Sequence, residues 1–258
     1  MSMTAVFKSR ALPWIIVLGS IVLWQLMCWV LKIPSFVLPS PVEVMRALIK
    51  YPQGVMLNAL YTLFTTLTGF AVAVAFGLVL GLVVGSSKVV YDGLYPIMIA
   101  FNSIPKVAIV PVLVIWFGIG IAPAIITAFA ISFFPIVVNV ATGLATIEPE
   151  ILDVLRVLGA RKSQILIKIG IPRAMPYFFA SLKVAITLAF VGSVVAETAA
   201  SNYGIGSLMI AASARFDVPL VFAGLVVIAA MGVALYEFFA FIEMRVTFWA
   251  SRSNGMVS

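Results

Sequence analysis

The side chains able to do chemistry in this chain are few, and they fall into two groups. One is a charged stretch, residues 148–176 (EPEILDVLRVLGARKSQILIKIGIPRAMP), set between long apolar runs. The other is a scatter of polar residues inside or beside those runs: Asn58, Asn102, Lys106, Asn139, Lys183 and Glu197. Neither group forms a catalytic constellation. The chain has no histidine and a single cysteine, Cys28, so histidine-based triads, histidine metal sites and a disulfide framework are excluded. No GxxxxGK[ST] phosphate loop, dinucleotide fingerprint, HExxH or GxSxG occurs. Glu148 and Glu150 form a carboxylate pair that reads as solvated charge at a helix start, and no aspartate falls within a long apolar run to serve an intramembrane protease. A charge in hydrocarbon must be paired, hydrated or functional. Glu197, near the outer end of its run, is either hydrated or has a gating or hydrogen-bonding role, without a second deep carboxylate for a proton relay. Lys106 either snorkels or faces a cavity, and snorkelling to the cytoplasmic interface is the expected outcome.

The elements that carry these residues follow from composition. The chain has 258 residues, 64% of them hydrophobic and only 10% charged, with a mean hydropathy of +1.21. A soluble domain is usually about a quarter charged. Apolar runs long enough to cross about 30 Å of hydrocarbon instead predict an all-α polytopic membrane protein with about six transmembrane helices. With so few charges, the net charge of +7 reads as topology and not as a nucleic-acid surface, which would need basic residues clustered on an accessible face. Residues 1–10 read as a basic tail, followed by spans over 11–31, 57–85, 94–117, 122–145, 177–197 and 218–240. Trp14 and Trp29 mark the ends of the first span. Ser40 and Pro41 start a short helix, and 86–93 reads as a polar turn. Pro105, Lys106 and Pro111 break or kink the third span. Gly118 and Gly120 form a tight turn, and 198–217 reads as a glycine-punctuated loop. Gly69, Gly77, Gly81 and Gly85 fit close helix packing, static or moving.

Six spans place both termini on one side. With that side cytoplasmic, basic residues favour it: Lys8, Arg10, Lys88, Arg156, Arg161, Lys162, Lys168, Arg173, Arg245 and Arg252, against Lys32, Arg46, Lys50 and Arg215 outside. The charged stretch 148–176 is then cytoplasmic. Leu152, Leu155 and Leu158 give it an apolar stripe, Gly159 divides two short amphipathic helices, and Pro172 is placed to end the second.

Within this stretch, DVLRVLGARKSQILIKIGIPRAMP resembles the EAA loop of bacterial ATP-binding-cassette (ABC) importer permeases. Asp153-Val154-Leu155 occupies the Glu-Ala-Ala position, with Gly159, Ala160, Ile171, Pro172 and Pro176 in register. LPSPVEV (38–44), IPKVAIVPVLVIWFGIG (104–120) and AETAASNYGIG (196–206) are similar to the nitrate/sulfonate/taurine branch. The resemblance implies one transmembrane permease domain over 1–258, of the type I importer fold, lying in the bacterial inner membrane. It implies that Asp153, Leu155, Arg156, Gly159, Ala160, Arg161 and Pro172 couple to a cytoplasmic ATPase dimer, with Glu197, Gly204 and Gly206 supporting a gate or pore. A second permease subunit, making a homodimer, and a periplasmic solute-binding protein complete the implied assembly. ATP would be used by the partner, and no cofactor is expected on this chain. An ion-gradient-driven secondary transporter and a non-transporting membrane scaffold are the competing readings; the first would more often carry an embedded ion site or internal repeats.

Overall fold

The computed structural model describes residues 3–145 and 149–248, and shows a helical bundle. Glu148 and Arg252 lie outside the described residues, as do the side chains of Lys8, Arg10, Trp14, Lys88, Leu152, Asp153, Arg156 and Lys162.

Helix α1 (Met3–Val30) begins well before the expected span start at residue 11. The presumed tail is helical because no glycine or cluster of turn formers separates it from the apolar run. Helix α2 (Pro41–Lys50) starts as the sequence predicts: Ser40 caps it, and Glu43 reaches back to the Ser40 N–H at 2.7 Å, closing a capping box. Helix α3 (Pro52–Gly85) follows, then α4 (Lys88–Ser103). The expected turn over 86–93 shrinks to Ser86 and Ser87, since KVVYDG carries no proline and continues directly into an apolar helix. A 3₁₀ turn, Lys106–Ile109, leads into α5 (Val110–Phe117), and the two arms of this apolar pair are bent by 75°. The expected break in the third span is therefore present.

Helix α6 (Ile121–Ala145) precedes α7 (Pro149–Val157) and α8 (Lys162–Ile165). A π-helical turn, Leu166–Gly170, runs straight into α9 (Ile171–Ala200). Two expectations fail here. Pro172 does not end a helix but lies in the first turn of α9, and the span expected at 177–197 extends over Leu166–Ala200. The wide turn explains both: its extra residue makes room for the proline ring, whose missing N–H would otherwise break an α-helical ladder. Helix α10 (Ile205–Ala214) replaces most of the loop expected at 198–217, and α11 (Val218–Val246) closes the described chain. Of the glycines in that stretch only Gly204, at φ +105°, has the backbone of a turn, while Gly206 lies inside the helix; a second turn, with Phe216 at φ +57°, joins α10 to α11.

Among the described residues four helices are long and apolar enough to cross a membrane: α3, α6, the π turn with α9, and α11; the bent pair makes five. The expected six is not reached, because the apolar part of α1 with described side chains, Ile15–Val30, is shorter.

The core lies between α3, α6 and α9. A Cβ at Gly77 would meet Ile136 Cβ at 2.9 Å, and one at Gly81 would meet Val140 Cβ at 2.7 Å. Gly69 opposes Ala128 and Gly85 opposes Leu144 in the same register, so α3 and α6 run parallel in close contact. Helix α9 runs against both: Gly192 approaches Thr127 and Ala128, and Ala174 approaches Gly143. One end of the bundle therefore gathers the start of α3, the end of α9 and α10. The opposite end gathers the end of α3, the end of α6, and α7 with α8.

Candidate functional site

At the first end, α9 presents Ser193 and Glu197 one turn apart on one face, and α3 presents Thr62 and Thr65 on the facing side. Glu197 is 1% exposed, which rules out the hydrated alternative. Its carboxylate accepts from Thr62 Oγ1 at 2.8 Å, Thr65 Oγ1 at 3.3 Å, Ser193 Oγ at 3.4 Å and the Gly206 N–H at 3.2 Å. Thr65 and Ser193 hydroxyls also touch each other. Thr62 Oγ1 in turn accepts from the Ile205 N–H at 2.9 Å, and Asn58 Oδ1 accepts from the Gly204 N–H at 2.7 Å. Three backbone N–H groups at the start of α10, which lack intrahelical partners, are thus held by side chains of α3 and α9. A Cβ at Gly204 would overlap the Glu197 carboxylate, and one at Gly206 would lie 2.5 Å from the Val194 carbonyl. The three residues expected near a gate, Glu197, Gly204 and Gly206, therefore form one node. Thr62, Thr65 and Ser193 were missed as its members; the signal available was hydroxyls at helical spacing on two apolar helices.

At the opposite end, α7 closes against Gly159. The Ala160 N–H donates to Leu155 O at 2.9 Å and Gly159 has φ +79°, the geometry of a Schellman stop. Arg161 then immediately precedes α8, with Gln164 Oε1 accepting from the Arg161 N–H at 2.8 Å. The elbow leaves apolar side chains uncovered: Val154 is 59% exposed, Val157 88% and Leu158 76%. Leu155 and Ala160 are half-buried along an open groove that Ile165 and Ile169 also line. Six of the seven expected coupling residues, Asp153, Leu155, Arg156, Gly159, Ala160 and Arg161, fall within this elbow. Pro172 lies beyond it, at the start of α9.

Two further charges are settled between helices. Lys183 on α9 pairs with Glu243 on α11 at 2.5 Å. Lys106 is buried and does not snorkel: its ammonium donates to Phe101 O at 3.0 Å, Asn102 O at 2.5 Å and Asn102 Oδ1 at 3.2 Å. The carbonyls left over at the C-terminus of α4 draw it inward.

A family profile described as "Binding-protein-dependent transport system inner membrane component" matches residues 73–248. The chain is 31% identical over 230 residues to a probable ABC transporter permease protein of Haemophilus influenzae, covering 89% of this chain and 94% of that one. It is also 31% identical to a riboflavin transport system permease protein of Chloroflexus aurantiacus (89% and 86% covered). A nitrate import permease protein of Synechocystis shares 31% identity (88% and 85% covered). These names span different solutes, so the relatives support the family without singling out a branch. In fold, the chain matches a solved chain of the MetNI methionine ABC transporter in an inward-facing conformation. The TM-score is 0.60 at 20% identity, over 79% of this chain and 97% of that chain. The chain belongs to the binding-protein-dependent transport system inner membrane component family and is the translocation-pathway subunit of an ABC importer coupled to a separate ATPase.

Proposed function

We propose that two copies of this chain form the pathway, each crossing a bacterial inner membrane six times with both termini in the cytoplasm. The sixth span is α1, with the bent α4–α5 pair counted as one crossing. Alternating helix directions support this layout, as does the basic residue bias toward the end that carries α7 and α8.

In this reading, residues 148–176 are the coupling loop. The observation that carries it is the uncovered elbow: Val154, Val157 and Leu158 project from a short helix that Gly159 terminates. An apolar edge on a charged, membrane-flanking loop fits a groove on a soluble partner, here an ATPase dimer. Closure of that dimer would push α7 against α8 and, through the continuous π turn and α9, reach the Glu197 node at the far end. A binding protein outside the membrane would deliver the solute, a small one of the nitrate/sulfonate/taurine branch. Gly159→Asp is the direct test. The substituted chain is expected to insert into the membrane normally while losing ATPase association or ATP-driven uptake. Normal uptake by a well-expressed Gly159→Asp chain would remove the coupling role.

A further inference from the structure

The break between α4 and α5 lies at bundle depth and not at an end. Phe101, at the close of α4, sits 6.0 Å from Phe133 in the middle of α6. Val110, at the start of α5, packs with Ala124 and Ala200, toward the Glu197 end. Between them Asn102, Ser103, Ile104 and Pro105 are all exposed. Irregular backbone at membrane depth is tolerated only where protein buries it or water reaches it. Asn102 uses Oδ1 to accept from Lys106, but its amide nitrogen has no acceptor among the described residues. Lys106 has no carboxylate partner among the described residues. Its charge is opposed by the end of α4, worth about half an elementary charge, and by the face of the Phe101 ring, 5.5 Å from the ammonium; neither carries a full negative charge, so the break keeps a net positive potential.

We propose that this break, centred on Asn102, Ser103 and Lys106, lines the water-filled path through the membrane and favours the anionic group of a small solute. The inference rests on the transport reading and adds the pathway surface and the charge preference of what passes. The test uses the full assembly in membrane vesicles, in a Cys28→Ser background, with and without ATP and vanadate. Ser103→Cys is treated with membrane-impermeant anionic and cationic methanethiosulfonates, and Val79→Cys, on an exposed apolar stretch of α3, is the control.

The expected result is labelling of Ser103→Cys in at least one state, well above Val79→Cys. The anionic reagent should be favoured about tenfold relative to a free thiol in solution. Lys106→Gln should abolish that preference and Lys106→Arg should keep it. Labelling no better than Val79→Cys overturns the proposal, as does a disulfide between copies without reagent access. An anionic preference that survives Lys106→Gln overturns the assigned charge. ATPase binding, measured on the same vesicles, is a separate readout: its loss would count against the transport reading, while the labelling comparison still decides the position of the break.

Discussion

Glu197 shows what one residue has to achieve inside an apolar bundle. A buried carboxylate is costly unless its lone pairs are filled, and here three hydroxyls and one N–H fill them. The donors are not equally dependent on it. Thr62 and Thr65 have carbonyls of their own helix within reach, at 3.1 and 3.2 Å, whereas the Gly206 N–H has no other acceptor among the described residues. Glu197→Leu should therefore strand mainly that N–H, at about 1–3 kcal/mol, and Glu197→Gln should cost less because a carbonyl oxygen remains. The midpoint of thermal unfolding in detergent, followed by tryptophan fluorescence, reads both. A Glu197→Leu chain as stable as the parent would mean that the node does not hold α10. Gly204→Ala should be worse than an ordinary turn substitution, because it combines φ +105° with overlap on the carboxylate. The node was only half legible in the sequence. Glu197 stood out as a charge in an apolar run, but its partners on α3 lie more than a hundred positions away, beyond any local pattern.

Elements governed by local chemistry were the legible ones. Ser40, Pro41 and Glu43 announce α2, and Gly159 marks the stop of α7. Where a tertiary contact decides, local rules failed. The glycines of 198–217 suggested a loop, yet Gly206 is small because α10 packs on α9. Pro172 suggested a helix end, yet the π turn carries the chain past it. At Gly159 a Cβ would meet open space, so within the chain the positive φ is the one penalty on a side chain, and Gly159→Asp differs by adding a negative charge to the face offered to the ATPase. Gly159→Asn, which tolerates that backbone, should retain ATPase binding. Gly159→Val should lose it at about 1–2 kcal/mol of local strain, measured by co-purification with the ATPase. Between α9 and α11, a double-mutant cycle on Lys183 and Glu243 should give a coupling of about 0.5–3 kcal/mol in thermal unfolding. A coupling near zero would mean that the two helices are held by their apolar contacts alone.

At the scale of the whole molecule, hydropathy made the membrane architecture legible, and the charged stretch at 148–176 pointed to a partner. The number of crossings was less legible, since α1 and the bent pair do not present one long uninterrupted apolar helix each. The topology separates the elbow of α7 and α8, proposed above as the coupling segment, from the Glu197 node and joins them through α9, an arrangement suited to transmitting motion between bundle ends. The most direct test is reconstitution in proteoliposomes of the chain alone, with the ATPase, and with the ATPase and the solute-loaded binding protein. The chain alone should hydrolyse no ATP, and the full set should show ATP-dependent solute uptake with binding-protein-stimulated hydrolysis. Uptake by the chain alone, driven by an ion gradient and indifferent to ATP, would contradict the assignment.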